Sequence, residues 1–352
     1  MAQINKPSEY FNTKLYSGSG STTTLTGVGF QPDWTWIKRR NSSINHKIYD
    51  AVRTAGKSIS SNNTAAEITN DAEGYLSAFT SDGFTVQAGT TSDEYVNQSG
   101  GTYASWNWLA GGTGVTNTDG SITSTVSANT TSGFSIVTYS GNSTAGATIG
   151  HGLNSVPSMV IVKSITNAES WPVYLKSVTT ANNYYLYLNS TGALVTSGGD
   201  RWSVGSNSST LFGLGNDGTT NQSGQTYVAY CFAEKKGFSK FGSYVGNGST
   251  DGTFIYTGFK PAYVMIKRTD AVSEWTMWDN KRNTYNVTNL ELEANTSDAE
   301  ANVGGREIDL LSNGIKIRGD SIYTNASGGT YIYMAFASEP LVGTNNIPAT
   351  AR

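Results

Sequence analysis

Two families of short apolar runs recur along the chain, each three times. One is WTWIK at 34–38, MVIVK at 159–163 and YVMIK at 263–267; the other is TYASWNW from Thr102, TYVAYCF from Thr226 and TYIYMAF from Thr330. In all six, β-branched and aromatic residues fill both alternating faces, which predicts strands buried on both sides, as in a sandwich interior. Weaker strands are predicted at GFTV (83–86), NYYLYLN (183–189) and NGIKI (313–317), bounded by Gly, Asn, Asp and Ser, which favour turns. Helical periodicity is scarce: the segments from Asn62 and Ser297 have room for a turn each and are ended or interrupted by glycine.

The runs sit in a repeating frame. Pro32, Pro157 and Pro261 precede the first family, and an aromatic residue, Tyr49, Tyr174 or Trp278, follows each proline at an offset of 17. The closing phrases carry Tyr103, Tyr227 and Tyr331, and their threonines lie 70, 69 and 69 residues beyond the prolines. Upstream, YSGSGS, YSGNST and YVGNGS open the three copies from Tyr16, Tyr139 and Tyr244. Spacing kept to one residue over such lengths predicts three copies of one folded unit, each of about 100 residues and large enough for its own core. The expected organisation is all-β, with three tandem antiparallel β-sandwich domains of jelly-roll, lectin-like type. The first unit spans 1–112, the second, with a polar linker, 113–236, the third 237–340, and 341–352 is a loose tail. One strand, SITSTV, is predicted inside the linker stretch 111–133; the join at Glu234–Gly237 is short enough to hold units two and three rigidly together.

Composition narrows the class. Charged residues make up 14% of the chain, against about 25% in an ordinary domain, while Gly numbers 40 and the net charge is −3. No basic stripe points to nucleic acid, and no apolar run reaches the ~18 residues of a membrane-spanning helix. The opening MAQINKPSEYF lacks a secretory apolar segment, so folding in a cytoplasm is expected. The one cysteine, Cys231, lies in an apolar run and reads as a buried, inert thiol.

Catalytic chemistry finds little support. His46 and His151 stand in a polar and a glycine-rich loop, far in sequence from any second ligand at metal spacing, and read as structural or solvated. Asp50, Asp279 and Asp309 are candidate carboxylates for glycoside hydrolysis. However, Asp50 and Asp279 occupy the same offset of 18 in repeats one and three, where repeat two has Leu175, and this favours structural pairs with Arg53 and Arg282. No enzyme, cofactor or metal site is expected. Among aromatics, Trp171 and Trp275 alternate with Tyr174 and Trp278 as on a strand, while Trp202 has no counterpart in the other repeats. These three tryptophans are the candidates for stacking on a glycan; the competing reading places them in the core.

The phrases TDGSITSTVSANTTSGFSIVTYSGN, QTYVAYCFAEKKGFSKFGSYVGNGSTDGTFIYTGF with KPAYVMIKRTD, and LSNGIKIRGDS with SGGTYIYMAF resemble an uncharacterised repeat family of structural proteins of tailed bacteriophages, notably marine phages and cyanophages. The resemblance covers about residues 10–340. It implies a virion protein with lectin-like domains, made in the host cytoplasm and released by lysis. Implied partners are other tail or capsid proteins, further copies of itself as a homotrimer, and a host surface glycan, with no membrane insertion. A tail fibre or receptor-binding appendage is the first expectation. A capsid decoration or cement protein is the second, and a carbohydrate-binding module or glycan hydrolase the third.

Overall fold

The computed structural model describes residues 3–343 and 348–350. The chain is all-β and its sheets are antiparallel. Each repeat folds as a lobe with a large inner sheet, whose central four strands follow one order. In the first lobe that order is Phe11–Ser17, Thr102–Trp108, Trp34–Arg39, Lys47–Asp50. In the second it is Phe134–Ser140, Thr226–Phe232, Met159–Ser164, Pro172–Leu175, and in the third Ser239–Val245, Thr330–Pro340, Phe259–Arg268, Trp275–Asp279. The two families of apolar runs are thus the two central strands, hydrogen-bonded to each other in every lobe.

Both faces of these strands are buried because each inner sheet has two covers. One set of side chains, such as Ile37, Val160 with Val162, and Val264 with Ile266, packs on a small outer sheet of the same lobe. The alternate set, Trp34 with Trp36, Met159 with Ile161, and Tyr263 with Met265, enters one cluster shared by all three lobes. Aromatic contacts cross the lobes there: Trp34 lies 4.7 Å from Tyr230 and 5.5 Å from Phe134, and Phe11 lies 5.3 Å from Phe336. The lobes therefore do not rest on private cores alone. An inner sheet without its neighbours would expose a row of aromatic side chains, at about 25 cal/mol for each Å².

Repeated polar fastenings complete each lobe. The Tyr103 hydroxyl donates to Glu94 O and accepts from Gln98 N; Tyr227 does the same with Gly218 and Gln222, and Tyr331 with Ile322 and Ala326. Each of these rings stacks on the tyrosine that opens its repeat, Tyr16, Tyr139 or Tyr244. Asn97, Asn221 and Asn325 tie the opening loops with their side-chain amides. Sequence reading missed them, although each stands two residues before the Ser-Gly of a closing phrase. Pro32, Pro157 and Pro261 are buried, as are Tyr49, Tyr174 and Trp278.

Some local expectations change. The linker at 111–133 contains two strands, Val115–Asn117 and Ser124–Asn129, which extend the inner sheet of the second lobe. The segment 183–189 forms only the short strand Leu186–Tyr187, and among the described residues the one α-helical turn is Gly218–Asn221 rather than either segment singled out for helical character. Of the predicted loose tail, 344–347 and 351–352 lie outside the described residues, and in the described part Val342 bridges Pro348 and Ala349 N donates to Leu341 O.

Candidate binding surface

The lobes close into a ring through equivalent contacts. Glu67 N donates to Ile165 O of lobe two, Leu194 N to Thr269 O of lobe three, and Glu300 N to Arg40 O of lobe one. A side-chain ring runs the opposite way. Trp171 Nε1 donates to Asn63 O at 3.0 Å, Trp275 Nε1 to Tyr187 O at 2.9 Å, and the His46 ring meets Glu293 O at 3.0 Å. His46, Trp171 and Trp275 all lie 14 residues after a repeat proline, a spacing that was available in the sequence. Trp36 Nε1 donates to His46 Nδ1 at 2.8 Å, which fixes the imidazole as the neutral tautomer protonated on Nε2. Burial holds its pKa well below the ordinary value.

The carboxylates and lysines are consumed in the same architecture. Asp50 pairs with Arg53 at 2.5 Å and accepts from the Tyr230 hydroxyl of lobe two; Asp279 pairs with Arg282 at 2.5 Å and accepts from Trp106 Nε1 of lobe one. Burial alone would raise the Asp279 pKa, but Arg282 holds it below the ordinary value. Asp309 pairs with Arg318 at 3.3 Å on an outer sheet. The lysines that end the first family of runs, Lys38, Lys163 and Lys267, are fully buried and donate to pairs of backbone carbonyls. Burial pulls Lys38 down to about 7 and the other two to about 8. His151 is buried at a turn and pulled down to about 4, and burial pushes the Cys231 thiol up. Among the described residues no group of three or more His, Cys, Asp or Glu is placed to hold a metal ion.

The expectation that Trp171, Trp275 and Trp202 offer stacking faces is corrected: they are 0%, 1% and 2% exposed. Trp171 and Trp275 fill the shared core, and Trp202 packs edge-on against Tyr174 inside lobe two. A strand-like alternation of indoles does not reveal which layer covers them, and here it is the next lobe.

Exposed aromatics occur elsewhere. In the outer sheet of lobe three, the edge strand Phe254–Tyr256 buries Ile255 and leaves Phe254 45% and Tyr256 57% exposed. In lobe one the matching strand pairs Thr24 with Thr85 and Thr26 with Gly83, as Phe254 pairs with Lys316 and Tyr256 with Gly314. Lobe one thus presents threonines where lobe three presents rings. Tyr256 also walls a cleft of about 630 Å³ formed with the lobe two to lobe three join, the N-terminal segment and Leu341–Val342. Its polar groups include Gln3, Glu234, Lys236 and Lys240, with Lys240 Nζ 2.7 Å from Glu234 Oε1. The walls are tied by Ile4 N to Lys236 O and Gln3 Nε2 to Val342 O.

The chain matches the family described as "Domain of unknown function (DUF7483)" over residues 6–340 and belongs to it. The match spans all three repeats, in keeping with lobes that share one core. No curated protein and no solved structure matches the chain. No helix among the described residues is long and apolar enough to cross a membrane.

Proposed function

We propose that this chain is a non-catalytic component of a virus particle, a tail appendage whose three-lobed body presents a ligand-binding surface on lobe three toward host glycans. The carrying observation is the exposed Phe254 and Tyr256 on an unpaired sheet edge. Such an edge invites aggregation, and lobe one blunts the same position with threonine. The ionisable groups singled out as candidate catalysts also support the reading, since Asp50, Asp279 and His46 are engaged in contacts between lobes. The low charge and glycine-rich loops suit a soluble appendage, and the phage-protein resemblance of the long joined phrases supplies the particle.

The resemblance implies a homotrimer. In this proposal three lobes of one chain, rather than three chains, surround the axis, because the ring of contacts closes within a single polypeptide. Native mass spectrometry reading one chain per body supports this, and three chains would return the fibre arrangement. Labelled antibody or cryo-microscopy on intact particles tests the location: signal at the tail is expected. Many copies on the head would favour the second reading, a capsid decoration protein, which the threefold outline of the body also suits.

A further inference from the structure

We propose that the cleft beside Tyr256 is a saccharide site selective for sugars that carry a carboxylate or phosphate group. The inference rests on the ligand-binding reading above and adds the place and the chemical class. Its volume of about 630 Å³ lies within the range of small-ligand sites, roughly 300–1,000 Å³. A sugar ring has an apolar C–H face and a polar rim, so it needs an exposed aromatic plane with hydrogen-bonding groups around it. Tyr256 supplies the plane. The hydroxyl end of its ring lies beside Gly258, which lines the same cleft, and the residue is 57% exposed. Gln3, Glu234, Lys236 and Lys240 supply the rim.

Charge selects the acidic sugars. The whole chain carries a net charge of −3, yet the cleft lining holds Lys236 and Lys240 against Glu234, while the buried Lys235 runs its stem over Gly133 of lobe two. Lys240 and Glu234 are paired with side chains 36% and 37% exposed, and such a surface pair contributes little. A ligand anion can therefore take over the Lys240 ammonium at small cost. Lys236 is exposed, and its backbone carbonyl is held by Ile4 N, so the point from which its side chain departs is fixed at the rim. Tyr256 has a threonine counterpart, Thr26, in lobe one, and the matching outer strand of lobe two, Thr148–Gly150, carries no aromatic. The site therefore belongs to lobe three alone.

The test is binding of the full chain to a panel of matched acidic and neutral oligosaccharides, including tri-galacturonate against galactotriose, and glucuronate-, sialate- and phosphate-bearing glycans. At least one acidic member is expected to bind, with its neutral counterpart at least tenfold weaker and the affinity falling as salt rises. Tyr256→Ala and Lys236→Glu are each expected to weaken binding at least tenfold, and Tyr256→Phe to keep it. Both positions are exposed enough that the melting temperature should not move, which is checked in parallel. Equal binding of neutral and acidic sugars, binding untouched by Tyr256→Ala, or no binding by any panel member overturns the proposal. Adsorption of the same proteins to host cells separates the two readings. Adsorption that survives Tyr256→Ala leaves an adhesive protein with its site elsewhere, and no adsorption by the native chain removes the adhesive reading itself.

Discussion

Replacing Asp279 by leucine should break the seam between lobes three and one. Asp279 and Arg282 are fully buried, and the carboxylate accepts from Arg282 Nε, Arg282 N, Lys281 N and Trp106 Nε1. The substitution strands a guanidinium whose remaining carboxylate is Glu300 at 3.2 Å and leaves the indole N–H without its acceptor. Breaking one partner of a buried pair costs about 3–5 kcal/mol, and an orphaned donor about 1–3. The chain itself contains the control. Lobe two has Leu175, Val178 and Leu194 where lobe three has Asp279, Arg282 and Glu300, and the residue of lobe three that matches Trp106 is Met334. All four apolar residues belong to, or pack on, the shared core. Glu300 also holds Arg40 at 2.7 Å, where lobe three has Thr269, so the concerted variant must include that position. Asp279→Leu with Arg282→Val, Glu300→Leu, Trp106→Met and Arg40→Thr is therefore expected to lie within about 2 kcal/mol of the native chain, because a set without buried charge and of similar volume replaces an ionic one. Urea unfolding followed by tryptophan fluorescence reads both variants. A loss below about 1 kcal/mol for Asp279→Leu alone, or a concerted variant as unstable as the single one, refutes the reasoning.

Three further outcomes are expected. Neutral burial of His46 means the unfolded chain binds a proton below the ordinary histidine value while the folded one does not, so its contribution to stability is lost as pH falls below about 6.5, at up to ~1.4 kcal/mol per pH unit. His46→Trp with Trp36→Ile, the pairing found in lobe two as Trp171 and Ile161, should flatten that loss in unfolding curves at pH 5–6.5, and an unchanged slope would count against the assignment. Lys38, Lys163 and Lys267 have folded values of about 7, 8 and 8, below the unfolded 10.5, so stability should rise between about pH 7.5 and 9 as the folded chain gives up protons that the unfolded chain keeps, and a flat or falling curve there would show that burial does not depress them. A protease site placed between Gly112 and Thr113 should yield fragments that co-elute on size exclusion until denaturant is added; separation in native buffer would show that the lobes do not depend on one core.

The repeat frame was legible because hydrophobic period and spacing record local backbone form. Tyr103, Tyr227 and Tyr331 bond to groups five and nine residues away, and Asp279 finds Arg282 at i+3, so short-range reasoning reaches them. The second partner of each pair lies much farther off: Trp106 is 173 residues from Asp279, and Tyr230 is 180 from Asp50. His46 looked like a loop residue because its flanks are polar, yet what buries it is lobe three. The Tyr256 cleft draws on residues near 3, 234–240, 256 and 342, and no local pattern joins them.

By itself the sequence determined three copies of an all-β unit, the strands at their centres and the fact that those strands have no wet face. Two-sided burial in a sheet required a further layer beyond a two-sheet sandwich. Which layer that was, the neighbouring lobes, was decided only by tertiary structure. Period fixes the direction in which a side chain points; what meets it there depends on contacts between residues a hundred or more positions apart.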